Sequence, residues 1–271
     1  MRVRKVFAVL GTLLALAAVV PSGAGAAEDA WEQDAQEQGS KKPTVVLVHG
    51  AFADASSWNG VVKRLQRKGF PVVAVANPLR SLAGDAEYLR KVLATIDGPV
   101  VLAGHSYGGM VQSQAALGNP NVKALVYVAA FAPEKGESAL ELSNRFPGST
   151  LGDTLSTIDI GDGSKDLVIQ QDKYWQQFAA DVPRKDATLA AATQRPVNDT
   201  ALTEKAGDPA WHAIPSYFVV AGKDKNIPIA AQKWMAERAH ARAVVEVRGA
   251  SHSIAVSQPE AVADLIVRAA K

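Results

Sequence analysis

From Pro43 onward, continuous apolar runs alternate with stretches of mixed polarity. The runs TVVLVHG (44–50), FPVVAVANPL (70–79), GPVVLAGHS (98–106) and VKALVYVAAFAP (122–133) are rich in valine and show no period-two polar alternation. Strands covered on both faces read this way, because neither face needs to meet water. The segments between them, Ser57 to Lys68, Ser81 to Ile96 and Gly109 to Leu117, have helix-compatible composition and the length of crossovers in a parallel sheet. The rhythm breaks after residue 133. It resumes with IPSYFVVAGKD (214–224), a helix from Ile229 to Ala239, a strand from Ala243 to Arg248 and a last helix from about Gln258 to Ala270.

The interval 134–213 is too long for a βα connection and carries helix-like aromatic segments, DKYWQQFAADVP and KDATLAAATQ. It predicts a helical lid inserted after the fourth strand. The fold class is therefore α/β: a mostly parallel sheet of about six strands, helices on both faces, and the lid as an insertion into one domain, 43–271.

Ligands of an open parallel sheet bind beyond the carboxyl ends of its strands. The third strand ends in Gly104-His105-Ser106-Tyr107-Gly108, a G-x-S-x-G pentapeptide between a strand and a helix. Such a turn holds its apical residue in a strained conformation and thrusts the side chain outward. The fifth strand ends at Gly222-Lys223-Asp224, and the sixth runs into Ser251-His252. A serine hydroxyl needs an adjacent base, and that base needs an acid to orient it. Ser106, His252 and Asp224 supply one of each.

With no cysteine in 271 residues, disulfides, thiolate nucleophiles and zinc-thiolate sites are excluded. No metal site is expected. Arg2, Arg4 and Lys5, the 15-residue apolar stretch Val6 to Val20, Pro21, and the small residues Ala24-Gly25-Ala26 have the order of a signal peptide cleaved near Ala26. The stretch is short for a membrane span, so a secreted protein without a stable membrane anchor is expected. Residues 27–42 are polar and aperiodic and read as a flexible leader. Removing residues 1–26 leaves 26 basic against 27 acidic side chains, a net of −1 instead of +2. A nearly neutral surface gives no electrostatic reason to expect nucleic acid as a partner.

The segments VVLVHGAFADASSW, GHSYGG, AGKDKNIP and RGASHSIAVSQPEAVADLI together resemble the α/β-hydrolases across nearly all of 43–271, and within them the small plant methyl esterases and hydroxynitrile lyases. The resemblance implies the chain order Ser106, Asp224, His252 for the catalytic groups. It implies an oxyanion hole made by the backbone N–H groups of Ala51 and Tyr107, no cofactor, and a small-molecule ester as substrate. Some hydrolases of this fold place their acid after the fourth strand, which makes Glu134 the rival of Asp224. His49 and His105 hold motif positions that serve packing and turn geometry.

Hydroxynitrile lyases of this kind carry a lysine directly after the histidine and a threonine at the position of Gly50. Here the residue after His252 is Ser253. These departures favour ester hydrolysis over carbon–carbon cleavage; the alternatives are a lyase or cofactor-free perhydrolase on the same scaffold, and a non-catalytic ligand-binding protein, against which the intact triad argues. Among the aromatic residues, Phe52 and Trp175 are expected to contact substrate, while the remaining lid aromatics, Tyr174, Phe178 and Trp211, are divided between lid packing and the pocket wall.

Overall fold

The computed structural model describes residues 42–271. The signal-peptide reading of residues 1–26 and the leader up to residue 41 lie outside the described residues. β1 (Thr44–Val48) is followed by a 3-10 turn at Ala55–Trp58 and by α1 (Asn59–Arg67). Next come β2 (Val72–Val75), α2 (Leu82–Ala94), β3 (Val100–His105), α3 (Gly108–Ala115) and β4 (Val122–Val128). The starts of the helical segments are set locally. Asp54 accepts from Ser56 N at 2.7 Å, and Ser81 Oγ accepts from Gly84 N at 3.1 Å, each satisfying an amide that the first turn leaves open.

The cap then departs from the sheet with α4 (Ala139–Asn144), opened by a Ser138/Glu141 capping box. It continues through β5 (Leu155–Asp159), β6 (Lys165–Ile169), α5 (Gln171–Phe178), α6 (Arg184–Thr193), β7 (Val197–Asn198) and α7 (Asp199–Thr203). The chain rejoins the sheet at β8 (Ser216–Ala221), followed by α8 (Ile229–Arg238), β9 (Ala243–Val247), α9 (Ile254–Ser257) and α10 (Pro259–Ala269).

The main sheet has the order β2-β1-β3-β4-β8-β9, and every neighbouring pair is parallel. Its central strands β1, β3, β4 and β8 are buried on both faces, while the edge strands β2 and β9 are partly exposed. Val46, Leu102, Leu125 and Phe218 join one core with α2, α3, α8 and the cap, while Val45, Val101, Val126 and Val219 join a second core with α1 and α10. The connections leave β1 and β3 in opposite directions, so the crevice beyond their carboxyl ends is the topological switch point of the sheet.

The cap is not wholly helical. β5, β6 and β7 form a three-stranded antiparallel sheet within it. Its first hairpin turns at Ile160 to Ser164, where Gly161 and Gly163 take φ of +81° and +89°. An aspartate between two glycines, flanked by LSTID and KDLVI, is the sequence signal of that hairpin.

Candidate active site

β3 delivers Ser106 to the crevice and α3 leads the chain away from it. Ser106 takes φ of +53°, in the left-handed region, and the flanking glycines make the turn possible. A Cβ at Gly104 would stand 2.5 Å from the Gly108 carbonyl oxygen, and one at Gly108 would stand 2.4 Å from the Val48 carbonyl oxygen. Only glycine lets three backbone segments approach so closely.

Residues from three strand ends converge on the hydroxyl. His252 Nε2 lies 2.8 Å from Ser106 Oγ, and His252 Nδ1 lies 2.7 Å from Asp224 Oδ2. A carboxylate only accepts, so Nδ1 carries the proton and the Nε2 lone pair faces the serine hydroxyl. Asp224 is itself held from four sides. Its Oδ1 accepts from the amides of Asn226 (2.7 Å) and Ile227 (2.9 Å), and its Oδ2 accepts from Gln232 Nε2 at 2.9 Å as well as from His252. Gln232, from α8, has no motif in the sequence to mark it. Glu134 sits elsewhere, with its Oε2 3.0 Å from His212 Nε2 at the surface.

Ala51 and Tyr107 line the same cavity as Ser106. Neither of their backbone N–H groups donates to a protein backbone acceptor among the described residues. The Tyr107 phenol, by contrast, is fully engaged, donating to Asp85 Oδ2 at 2.9 Å inside the core. Burial raises the Tyr107 phenol well above its ordinary value, with the neighbouring Asp85 adding to the effect, and burial also raises Asp85. This anchor fixes a residue that lines the cavity beside Ser106.

The two motif histidines are neutral structural ties. His49 donates from Nδ1 to the Gly50 carbonyl (2.9 Å) and accepts at Nε2 from Asn77 N (3.0 Å), joining the end of β1 to the segment after β2. His105 donates from Nε2 to the His252 carbonyl at 2.8 Å. Burial lowers both below the usual imidazole value. For His105, burial and the neighbouring His252 push it down to about 3.

The cavity over Ser106 has a volume of about 200 Å³. Leucines of the cap, Leu140, Leu151, Leu155, Leu167 and Leu202, form much of its wall, with Phe52 and Phe178 beside the reactive groups. Phe52 thus lines the cavity that holds Ser106. Trp175 is not among the residues that line it. Its indole N–H donates to the Val182 carbonyl at 3.0 Å and the Arg184 guanidinium covers its ring, so it packs the cap internally. Phe178, three positions on along α5, takes the place facing the site, its ring 4.9 Å from that of His252 and nearly perpendicular to it. Tyr174 is buried behind this wall, its hydroxyl donating to the Phe52 carbonyl at 3.1 Å, and Trp211 is tied to Pro133 O at 2.8 Å.

The chain and its fold have counterparts among known proteins. The family described as alpha/beta hydrolase matches residues 45–265. Alpha-hydroxynitrile lyase of Arabidopsis thaliana is 26% identical over 83% of this chain and 95% of its own, and methylesterase 1 of the same plant is 25% identical over 85% and 97%. The crystal structure of polyneuridine aldehyde esterase superposes with a TM-score of 0.73 at 25% identity, covering 85% of this chain and all of that one.

Proposed function

The chain belongs to the alpha/beta hydrolase family, and from that membership we propose that it is a secreted serine esterase that cleaves carboxylic esters of small molecules through an acyl-enzyme on Ser106. The observation that carries this reading is the continuous hydrogen-bonded line from Asp224 through His252 to the Ser106 hydroxyl. Relatives named as esterases support the reaction class. The serine after His252, where the resembling lyases have lysine, supports hydrolysis over carbon–carbon cleavage.

Ser106 Oγ attacks the ester carbonyl carbon while His252 Nε2 takes the hydroxyl proton. The negative charge that develops on the carbonyl oxygen meets the amides of Ala51 and Tyr107, whose positions are set before substrate arrives. The carbon–oxygen bond to the alcohol breaks, and His252 returns the proton to that leaving oxygen. Water then attacks the acyl carbon, gives its proton to His252 and releases the acid, and the proton returns to Ser106. Ester plus water becomes acid plus alcohol, with nothing left unbalanced. Asp224 holds the imidazole in the required tautomer and offsets the charge it gains in each half.

The test is a chain-length series of p-nitrophenyl esters with Ser106→Ala, Asp224→Asn and Glu134→Gln alongside. Turnover is expected for short acyl chains, no turnover in Ser106→Ala, a loss on the order of 10³ to 10⁴ in kcat for Asp224→Asn, and activity within about twofold of wild type for Glu134→Gln. No ester turnover together with cyanohydrin cleavage would move the assignment to a lyase. N-terminal sequencing of the exported protein checks cleavage near Ala26.

A further inference from the structure

The turn that follows α5 in the cap grips the loop carrying His252 from both sides. The Phe178 carbonyl accepts from Ser253 N at 3.0 Å and stands 3.3 Å from Ser251 Oγ. Asp181, three residues further on, accepts from the same Ser251 hydroxyl through its Oδ1. Ser251 has one hydroxyl proton, and the Asp181 carboxylate, a stronger acceptor than the Phe178 carbonyl, takes it. Ser251 and Ser253 are both buried.

His252 itself is fixed from below by His105, which donates to its carbonyl, and its ring lies against the edge of Phe178. The residues before and after the base are thus held by the cap, while the base's own carbonyl is held by His105 at the end of β3 and its ring by Asp224 beyond β8. The other oxygen of the carboxylate, Asp181 Oδ2, is buried with no hydrogen-bond partner among the described residues. Burying a carboxylate oxygen without a donor is costly, and packing alone does not call for one there.

We propose that Asp181 is a positioning residue for the reaction: through Ser251 it fixes the His252 loop in register with Ser106, so that closure of the cap and alignment of the base are one event. The proposal rests on the serine hydrolase reading of Ser106. A cap lifted for substrate entry takes both acceptors, Phe178 O and Asp181 Oδ1, away from the loop. His105 and Asp224 still hold the base, but the loop on either side of it loosens, the Nε2 to Oγ line is less well fixed, and efficient acylation belongs to the closed state. A displacement of about 1 Å in such a line is enough to cost roughly 10²-fold in rate.

The experiment measures the rate at which a fluorophosphonate probe labels Ser106 in the full chain, together with kcat and KM on p-nitrophenyl butyrate, for wild type, Asp181→Ala, Ser251→Ala, the double variant and Asp181→Asn. Labelling reports the activated hydroxyl without depending on how an ester seats in the cap. Asp181→Ala and Ser251→Ala are expected to label about tenfold more slowly and to lose the same factor in kcat, with KM within about twofold. The double variant is expected to be no worse than the poorer single one, because both remove one bond. Asp181→Asn keeps a hydrogen bond to Ser251 Oγ in either amide orientation and is expected within about twofold of wild type.

Unchanged labelling in the alanine variants, a loss confined to KM, or losses that multiply in the double variant overturns the proposal and leaves Asp181 as an anchor of the cap alone. If Asp181→Ala does not fold, Ser251→Ala removes the same bond by deleting one oxygen, and its labelling rate decides. Failure of wild type to label at all is a different result, since it strikes the serine hydrolase reading first.

Discussion

At Gly50 the reach of the backbone and the chemistry compete for the same space. A Cβ on this residue would stand 2.6 Å from Ser106 Cβ and 3.2 Å from its Oγ, with the His105 carbonyl oxygen at 2.8 Å. The two closest, a Cβ and a backbone oxygen, are not ends of flexible side chains, so one of two backbone segments has to move. Both matter, since one carries the nucleophile and the other the Ala51 amide. Gly50→Ala is therefore expected to lower kcat/KM by about 10², mostly in kcat, because a shift of this kind misplaces groups that act in the transition state. Steady-state kinetics on a p-nitrophenyl ester, with a melting curve to show that the variant is folded, checks this; wild-type kcat would mean that the segment yields without cost. Residues of this kind were legible in the sequence, because Gly50, Gly104, Ser106 and Gly108 lie in contiguous motifs whose spacing is itself the geometry. Trp175 and Phe178 were not separable in the same way. They lie three apart on α5, which puts them near one another on its surface, and only the angle at which α5 meets the sheet decides which of them faces Ser106.

The central strands of the main sheet are legible because they are buried on both faces and so carry unbroken apolar runs, whereas β5 in the cap is almost wholly exposed. β5 keeps only Leu155 partly buried and leaves Ser156 to Asp159 in water, so no apolar pattern distinguishes it from a loop. What could have revealed it is turn chemistry at Gly161-Asp162-Gly163. The same distinction applies to α8, whose existence was read from its composition but whose contribution to the site was not. Gln232 on this helix donates from Nε2 to Asp224 Oδ2 (2.9 Å) and to the Ile227 carbonyl (2.7 Å), and its Oε1 accepts from Ala221 N (3.1 Å). One buried side chain thus ties the end of β8, the acid and the following loop to a single helix. Gln232→Met preserves the volume and leaves those partners unsatisfied. A destabilisation of about 2 to 4 kcal/mol is expected, seen as a lower urea midpoint at unchanged m, together with roughly a tenfold loss in kcat as Asp224 loosens. A variant with normal stability and normal kcat would show that the carboxylate is held well enough by the Asn226 and Ile227 amides alone.

Across the whole molecule, the crevice is assembled from strand ends separated by up to about 200 residues, and neutral histidines are among the ties that close it. His49 joins β1 to the segment after β2, and His105 joins β3 to the His252 loop. Both serve as neutral rings, and burial lowers both, His105 to about 3 from an ordinary 6.5. The unfolded chain takes up protons at these positions below pH 6.5 and the folded chain does not, so the stability they contribute is complete above 6.5 and is lost as pH falls. Each histidine steepens the loss by about 1.4 kcal/mol per pH unit until the pH reaches its folded value. Asp85 acts in the opposite sense. Burial raises its carboxyl, so the fold retains that proton above 3.8 and gains on acidification in the window just above that value, which moderates the loss only near the acid end. Glu137 works with the histidines. Burial resists its ionisation, but the Arg238 guanidinium, bonded to both of its oxygens, outweighs burial and holds it below 4.5, so it too gives up stability as pH falls through that range. The urea midpoint is therefore expected to change little between pH 8 and 7 and to fall steadily from about 6.5 to 5. His105→Gln, whose amide can still donate to the His252 carbonyl, is expected to be less stable at pH 7.5 yet to lose about one proton's worth of that slope, so that the two curves converge on acidification. Parallel curves would assign the acid sensitivity to groups other than His105, and would mean that this tie between the nucleophile's strand and the base's loop holds equally well when charged.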